Sequence, residues 1–381
     1  MKRFLFFCAF LAAAAVLAFF SWRALDGEKA GSLEDIEASI AGGEASAINE
    51  IIDEMTLEEK VGQMFLGCFY DGFPDPSQVS GLHLGGVLLF SSAFEDSSPN
   101  ETAALTEELH SSMDIPPLTA VDEEGGTVVR ISSHKAFRSE PFKSPRELYN
   151  EGGLDLIISD THQKNQLLKA LGIDVNLAPV CDISLDPSDF MYSRSLGQGP
   201  RTTARYASAV VEACLEDGTG CVLKHFPGYG STGDTHKGLA ADNRTLKEIE
   251  ERDLVPFKAA IDAGAPAVLI SHNIVSAFDS RRPASLSPAV HVALRHDLAF
   301  DGVVITDDLS MGAVKDYSSY GDSAVTAVLA GNDMICTGDF AVQSRALLEA
   351  VRDGLIKESR IDSSLRRILL WKADLGLIDL S

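Results

Sequence analysis

Eight short apolar runs recur along the chain after residue 60. They are GQMFLGCF (62–69), LGGVLLF (84–90), PPLTAVD (116–122), GIDVNLAPVCDI (172–183), GCVLKHF (220–226), PAVLISHN (266–273), DGVVITDD (301–308) and NDMICTG (332–338). Helix-like segments such as ETAALTEELHSSM and TARYASAVVEACLEDG lie between most of them. Buried strands that alternate with helices predict a parallel sheet covered on both faces, and eight strands predict a (β/α)8 TIM-type barrel in a single catalytic domain. A doubly wound open sheet is the alternative, although no glycine-rich dinucleotide turn follows the first run.

Polar side chains stand at the ends of five of these runs, where a barrel of this kind carries its active site. Any one of them alone could be a turn or capping residue. Side chains from distant parts of the chain that all end parallel strands predict one shared pocket. These residues are Asp122, Asp182, Lys224, His225, His272, Asn273, Asp307 and Asp308.

One loop-like segment concentrates titratable groups. The stretch KHFPGYGSTGDTHKGL, from Lys224 to Leu239, contains two histidines, an aspartate and four glycines. Such a segment fits either a metal or phosphate site, or an acid/base group that moves to its substrate on a glycine-rich loop. The residue types alone leave both interpretations open.

The amino terminus has the pattern of an export signal. Lys2 and Arg3 precede an unbroken apolar run at residues 4–20. Residues 1–25 therefore predict either a cleaved signal peptide or an uncleaved signal anchor, because the positive charges stay on the cytoplasmic side. We expect an exported, extracytoplasmic protein, membrane-anchored or secreted, that meets the membrane only through this segment. Residues 26–47 are acidic and predict a tether. A single helix is predicted from Ala47 into TLEEKVGQM, and residues 48–381 are assigned to the barrel domain.

The charge of the chain argues against nucleic acid as a partner. It carries 56 acidic and 32 basic residues, a formal net charge of -24, and no basic run that would reverse this balance. Five cysteines lie outside the N-terminal apolar run, and an odd number does not suggest a disulfide framework. We predict that they are small buried side chains, and their spacing fits no metal site. We also expect a monomer.

Three segments resemble the signature segments of glycoside hydrolase family 3: VDEEGGTVVR (121–130), KHFPGYGSTGDTH (224–236) and GVVITDDLSM (302–311). More narrowly, they resemble its single-domain β-N-acetylhexosaminidases, the NagZ-like group. NLAPVCDI, SRSLG and RPASLS fall in the same order and at similar distances. The resemblance covers the chain from Ile51 to Leu377.

The resemblance implies a retaining glycosidase that works through a covalent glycosyl-enzyme. Asp307, the first aspartate of TDD, is then the nucleophile. Successive strand residues point to opposite faces, so we expect only one of Asp307 and Asp308 to face the pocket, with Asp308 as a cap or an orienting residue. The resemblance also implies that His236, held by Asp234, donates and accepts the proton, a task that suits an imidazole with a pKa of about 6.5.

The loop departs from the commonest family pattern at two positions. Tyr229 stands where the family usually has a second histidine, and Ser231 stands near a usual aspartate. The pair Asp234 and His236 is intact, so we expect activity. The pose of the loop and the preference for leaving groups are the properties that these departures would change.

The resemblance assigns the remaining polar residues to sugar binding, because sugar hydroxyls donate to carboxylates and accept from cations. The expected substrate-binding residues are Asp122, Arg130, Arg194, Lys224 and His225. A buried ion pair that shapes the barrel mouth is the alternative for the two arginines. Neither a metal nor a cofactor is required.

The function that the resemblance implies is that of an exo-acting β-N-acetylhexosaminidase, which removes terminal β-linked N-acetylglucosamine. Export points to peptidoglycan fragments as the substrate. One alternative is a family 3 β-glycosidase of other sugar specificity. Another is a metal-dependent barrel hydrolase, but such enzymes need an H-x-H pair at the first strand, where this chain has GQMFLGCFY. A third is a non-catalytic glycan-binding protein, against which the intact nucleophile and dyad argue.

Overall fold

The computed structural model describes residues 33–230, 240–315, 317 and 322–380. The chain divides into two compact units, Met1–Glu50 and Ile51–Ser381. The predicted signal segment (1–25) and the predicted dyad of Asp234 and His236 lie outside the described residues. Among the helices of the described ranges, none combines the length and the apolar character needed to cross a membrane.

The first helix, α1 (Leu33–Glu54), begins well before the predicted start at Ala47. Its sequence is rich in alanine, glutamate and isoleucine, and the first two are strong helix formers. Gly42 and Gly43, which suggested a tether, lie inside the helix. Each costs about 1 kcal/mol relative to alanine, which is not enough to end a helix of this composition. The described part of the predicted tether is therefore helical.

A second helix, α2 (Leu57–Gln63), begins at a capping box, so the single helix predicted through TLEEKVGQM is in fact two. The Thr56 hydroxyl accepts from the backbone N–H of Glu59 (3.3 Å), and the Glu59 carboxylate accepts from the backbone N–H of Thr56 (2.7 Å). These bonds satisfy two N–H groups at the new helix start.

The eight predicted strands are all present. They are β1 (Phe65–Phe69), β2 (Gly86–Leu89), β3 (Leu118–Val121), β4 (Val175–Asn176), β5 (Gly220–Phe226), β7 (Ala267–Ile270), β9 (Val303–Thr306) and β10 (Ile335–Thr337). Two further short strands, β6 (Ala241–Asp242) and β8 (Ile274–Val275), form a separate parallel pair.

The sheet closes into a barrel. The strand order is β10-β1-β2-β3-β4-β5-β7-β9, with all neighbours parallel. A parallel bridge between Ile305 and Met334 joins β9 back to β10. The predicted (β/α)8 TIM-type barrel is confirmed. Its carboxyl strand ends bring β3, β4 and β5 side by side, with β9 two positions beyond β5 in the order.

The remaining helices mostly lie between successive strands. They are α3 (Pro76–Gly81), α4 (Pro99–His110), α5 (Pro145–Ala170), α6 (Pro200–Asp217), α7 (Leu246–Arg252), α8 (Leu254–Asp262), α9 (Pro288–Val292), α10 (Gly312–Lys315), α11 (Ser323–Ala330), α12 (Phe340–Arg352) and α13 (Glu358–Asp374). Ser98 and Ser144 start α4 and α5 with capping boxes, each followed by proline at the first helical position.

Apolar packing between strands and helices supports the strand ends of the barrel. All seven residues of β5 are buried. Phe226 at the end of this strand packs edge-to-face on Phe257 of α8, with ring centroids 5.1 Å apart. Residues of α6, including Val211 and Cys214, belong to the same core cluster. The strand ends that carry polar residues are therefore anchored in a packed core.

The cysteines of the described residues contribute to this core. Cys68, Cys181, Cys214, Cys221 and Cys336 are all buried and free, which confirms the prediction of small buried side chains. The sulfur atoms of Cys68 on β1 and Cys336 on β10 are 3.3 Å apart.

Candidate active site

A cavity of about 530 Å³ lies at the carboxyl ends of the barrel strands. All six of the predicted catalytic and substrate-binding residues within the described ranges line it, and they follow or end β3, β4, β5 and β9. These are Asp122, Arg130, Arg194, Lys224, His225 and Asp307. The barrel thus brings together residues that are as much as 185 positions apart, from 122 to 307. The predicted pair Asp234 and His236 lies outside the described residues.

Ion pairs connect the ends of β3 and β5. Lys224 Nζ donates to Asp122 Oδ1 (2.6 Å) and lies 2.6 Å from Glu124 Oε1. Arg194 grips the same Glu124 carboxylate with two nitrogens, Nη2 to Oε1 (2.6 Å) and Nε to Oε2 (2.9 Å). Burial alone would raise the pKa of Glu124, but Arg194 and Lys224 lower it well below its usual value. Glu124 is therefore charged at neutral pH.

Arg130 and Arg194 each form an ion pair at the cavity, a geometry that is compatible with both roles that the sequence left open. Each is ion-paired, Arg130 to Asp122 (3.3 Å) and Arg194 to Glu124, and each also lines the cavity. Burial lowers the pKa of Arg194, but the nearby carboxylates, Glu124 first among them, raise it above its ordinary value. The guanidinium therefore stays charged. The guanidinium of Arg130 also lies over the Phe90 ring, 5.3 Å from its centroid.

Two of the three carboxylates in DEEGG were not singled out from the sequence. Glu123 is buried and accepts from the backbone N–H groups of Arg130 and Ile131, both at 2.8 Å, and from the Ser132 hydroxyl. It thus fixes the loop that carries Arg130. Glu124 instead pairs with two cavity cations. The one sequence feature that could have indicated these roles is the run of three consecutive carboxylates after the third strand.

His225 is held in one tautomer. Its Nδ1 lies 2.7 Å from Asp182 Oδ2, and its Nε2 lies 3.2 Å from Arg194 Nη2. A guanidinium can only donate, so Nε2 accepts and Nδ1–H donates to Asp182. Asp182 also accepts from the backbone N–H groups of His225 (3.0 Å) and Tyr229 (2.7 Å). The fourth strand end thus supports the ring without lining the cavity.

Lys224 and His225 are consecutive, yet both line the cavity. Alternation along a regular strand would turn one of them away. The pairing between β5 and β7 shifts register between Leu223 and Phe226, a β-bulge or related irregularity that spans both residues. Such irregularities re-aim side chains beside active sites.

Asp307 and Asp308 both line the cavity, so the prediction that only one of them faces it is wrong. The alternation rule applies within a strand, and β9 ends at Thr306. The backbone N–H of Asp307 donates to the Ile270 carbonyl at the end of β7 (2.9 Å), which fixes the start of the loop. The Asp307 side chain is half-buried.

Asp308 has the orienting contacts that the sequence suggested for it. Its carboxylate accepts from the Tyr70 hydroxyl, and from the backbone N–H of Ser310 at 2.8 Å. The Asp308 carbonyl accepts from His272 Nε2 (3.0 Å). Contacts to β1, to the next turn and to the end of β7 therefore hold this residue. Burial, followed by the nearby Cys68 and Asp308, raises the pKa of Tyr70, which keeps its hydroxyl protonated.

His272 and Asn273 follow β7 but do not line the cavity. Both side chains are fully buried. His272 bonds to the Ser285 hydroxyl (2.7 Å) as well as to the Asp308 carbonyl, and Asn273 Nδ2 donates to the Gly228 carbonyl (3.2 Å). These residues hold neighbouring loops in place.

Aromatic rings form two parts of the cavity wall. Tyr70 and Phe90 pack with centroids 4.7 Å apart, beside Asp308 and Arg130. Tyr229 and Phe190 pack at 5.6 Å. Tyr229, at the position of the family departure, is almost fully buried, and its ring meets the His225 ring edge-to-face at 5.2 Å. The departure therefore places an aromatic ring in contact with His225.

Residues 56–370 match the family described as "Glycosyl hydrolase family 3 N terminal domain". The chain belongs to glycosyl hydrolase family 3 and is a glycoside hydrolase. This membership decides between the enzyme classes that the sequence left open, in favour of a glycosidase over a metal-dependent barrel hydrolase. Within the described residues, no group of three or more histidines, cysteines or carboxylates is placed to hold a metal ion.

Known proteins resemble the chain over most of its length. A "Beta-hexosaminidase" of Nitrosomonas eutropha is 34% identical over 68% of this chain and 75% of its own. The structure of a family 3 β-N-acetylglucosaminidase from a Paenibacillus species is 32% identical, with a TM-score of 0.79 over 85% of this chain and 63% of its own. The structure of LpqI from Mycobacterium tuberculosis is 29% identical, with a TM-score of 0.75 over 84% of this chain and 95% of its own.

Proposed function

We propose that the protein is a retaining, exo-acting β-N-acetylhexosaminidase that removes terminal β-linked N-acetylglucosamine. The observation that carries the proposal is one cavity that holds the Asp307 carboxylate together with the charged group of Asp122, Lys224 and Arg194, in a barrel of family 3. The sugar class rests on the relatives, which are named as a hexosaminidase and a β-N-acetylglucosaminidase.

The proposed reaction has two steps. The Asp307 carboxylate attacks the anomeric carbon, the bond to the leaving oxygen breaks, and His236 donates its proton to that oxygen. The resulting glycosyl-aspartate ester is opened by water, whose proton passes to His236. Asp234 orients this imidazole and stabilises its protonated form. Net retention at the anomeric carbon follows from two successive inversions.

The cavity residues suit the binding of a terminal sugar. Asp122 offers an acceptor to sugar hydroxyls, while Lys224 and Arg194 offer donors, and all three are held in place before substrate arrives. The exo mode of action rests on the resemblance of the signature segments to those of the family's β-N-acetylhexosaminidases.

A panel of chromogenic β-glycosides tests the proposal. The β-N-acetylglucosaminide should be hydrolysed with the highest kcat/KM, and the first product seen by NMR should be the β-anomer. A β-glucoside processed more efficiently would move the protein to another specificity within family 3. Release of the α-anomer would overturn the covalent mechanism. Running the reaction with and without phosphate shows whether water is the acceptor.

We further propose that the protein is exported and acts on peptidoglycan fragments. The support is the charged, then apolar amino terminus at residues 1–25 together with the proposed sugar specificity. Cell fractionation should find the protein outside the cytoplasm, and defined muropeptides should lose terminal N-acetylglucosamine. A cytoplasmic location, or muropeptides left intact while the chromogenic substrate is cleaved, would contradict this proposal.

A further inference from the structure

Three consecutive carboxylates follow β3, and each makes different contacts. Asp122 lines the cavity and binds Lys224 and Arg130. Glu123 accepts from backbone N–H groups and holds its own loop. The Glu124 side chain does not line the cavity and pairs with two cations that do, Lys224 and Arg194. Asp122 thus faces the cavity, Glu123 its own loop and Glu124 the two cations.

We propose that Glu124 is a positioning residue for substrate binding, which acts through Lys224 and Arg194. Its side chain is 1% exposed, and that of Lys224 is 2% exposed. The Oε1 atom lies 2.6 Å from Lys224 Nζ and 2.6 Å from Arg194 Nη2, while Oε2 accepts from Arg194 Nε at 2.9 Å. One carboxylate therefore fixes the position of two donors.

The geometry shows what each cation would do without this carboxylate. Lys224 would keep Asp122 Oδ1 as its anion (2.6 Å) and draw that acceptor away from sugar hydroxyls. Among the described residues, Arg194 would keep hydrogen bonds to His225 Nε2 at 3.2 Å and Met191 Sδ at 3.6 Å, and neither atom carries a negative charge. Its guanidinium would lose the bidentate contact that sets its orientation. Glu124 thus keeps two donors aimed into the cavity and leaves Asp122 available to substrate.

A buried carboxylate at the opposite end of the barrel provides a matched control. Asp333 precedes β10, is 1% exposed and accepts from Arg295 at 2.5 Å, with Arg360 and Arg367 within 4 Å. Like Glu124, it joins more than one cation in a buried position, but it lies at the amino ends of the strands. Asp333→Asn therefore measures what the loss of such a carboxylate does to stability alone.

The experiment compares Glu124→Gln, Glu124→Asp and Asp333→Asn in the full-length protein. Each is checked for folding by circular dichroism, and its KM, kcat and calorimetric Kd for the free monosaccharide are measured. We expect Glu124→Gln to raise KM and Kd by roughly tenfold to a hundredfold, the loss of about one charge-assisted hydrogen bond to substrate. The value of kcat should fall by less, because Asp307 is unchanged. Glu124→Asp, which keeps the charge, should recover part of the loss.

A folded Glu124→Gln protein with wild-type KM and Kd would overturn the proposal, and so would an equal rise in KM for Asp333→Asn. If Glu124→Gln does not fold, Glu124→Asp decides: a raised KM supports the proposal, and a wild-type KM overturns it. The inference rests on the proposed function only for the identity of the sugar. If the chromogenic panel shows another preferred sugar, the proposed specificity fails and the Glu124 comparison is made with that sugar.

Discussion

Lys372 of α13 provides a test of whether a lysine buried in this barrel keeps its charge at neutral pH. The residue is 0% exposed, and its Nζ donates to Gln63 Oε1 (2.6 Å) and to the Pro116 carbonyl (2.7 Å), neither of which is charged. Burial lowers the pKa of Lys372 to about 7, although Asp174 acts in the opposite direction. The unfolded chain has a lysine pKa of about 10.4.

The sign of the pH dependence follows from these two values. Between pH 7 and about pH 10 the unfolded chain keeps the proton on Lys372 while the folded protein releases it, so the free energy of unfolding rises with pH. The whole shift corresponds to about 5 kcal/mol at about 1.4 kcal/mol per pH unit. The part expressed between about pH 7 and pH 8.5 is about 1.5 kcal/mol, because Lys372 is already half deprotonated at the start.

The assay is urea unfolding at pH 7 and pH 8.5 of the wild type, Lys372→Met and Lys247→Met. Other groups titrate in this window, so the measured quantity is the change in stability with pH relative to wild type. Lys372→Met leaves the oxygens of Gln63 and Pro116 without this donor, a cost that does not depend on pH. Its rise in stability should be about 1.5 kcal/mol smaller than that of the wild type. Lys247, whose side chain is 79% exposed, serves as the control and should behave as wild type.

An equal pH dependence in wild type and Lys372→Met would refute this reasoning. It would mean that the two neutral oxygens and Asp174 together keep the ammonium charged inside the fold. The pKa of Lys372 would then lie well above 7.

Four further predictions concern catalysis. Asp307→Ala should abolish turnover, and a fluorinated glycoside should label Asp307 of the wild type by mass spectrometry; a label on Asp308 would contradict the assignment. His236→Ala should slow hydrolysis of substrates with poor leaving groups by roughly a hundredfold to ten-thousandfold and affect activated aryl glycosides less, with partial rescue by azide. Asp234→Asn should give a weaker defect with a shifted pH–rate profile, whereas wild-type behaviour of both variants on a disaccharide would make the loop a sugar clamp. Tyr70→Phe removes the donor to Asp308 and should lower kcat by about tenfold, the value of one lost hydrogen bond; an unchanged kcat would show that Tyr70 does not position Asp308 for catalysis.

The strands could be predicted from the sequence because buried parallel strands are apolar throughout. Their lengths could not. The run at 172–183 yields only Val175–Asn176, because Pro179 lacks the N–H that would continue the ladder. The helix start at Leu33 could not be predicted, because Gly42 and Gly43 are typical of a tether although helix formers surround them.

The cavity residues were predictable as strand ends, but their contacts were not. Glu124 pairs with Arg194 and Lys224, which are 70 and 100 positions away, and no local pattern encodes such a partner. His272 and Asp122 look alike in sequence, since each follows an apolar run. Only the tertiary packing shows that His272 is covered by neighbouring loops while Asp122 faces the cavity.

The buried thiols allow local opening of the barrel to be measured by chemical labelling. A thiol reagent reacts with a buried cysteine only when a local fluctuation exposes the sulfur, so labelling rates rank the segments by their opening free energy. Cys214 on α6 and Cys221 on β5 report one side of the barrel, and Cys181 reports the chain beyond β4. Cys68 and Cys336 are in contact between the paired strands β1 and β10, so they should become reactive together. The rate at which both are labelled would measure the separation of those two strands.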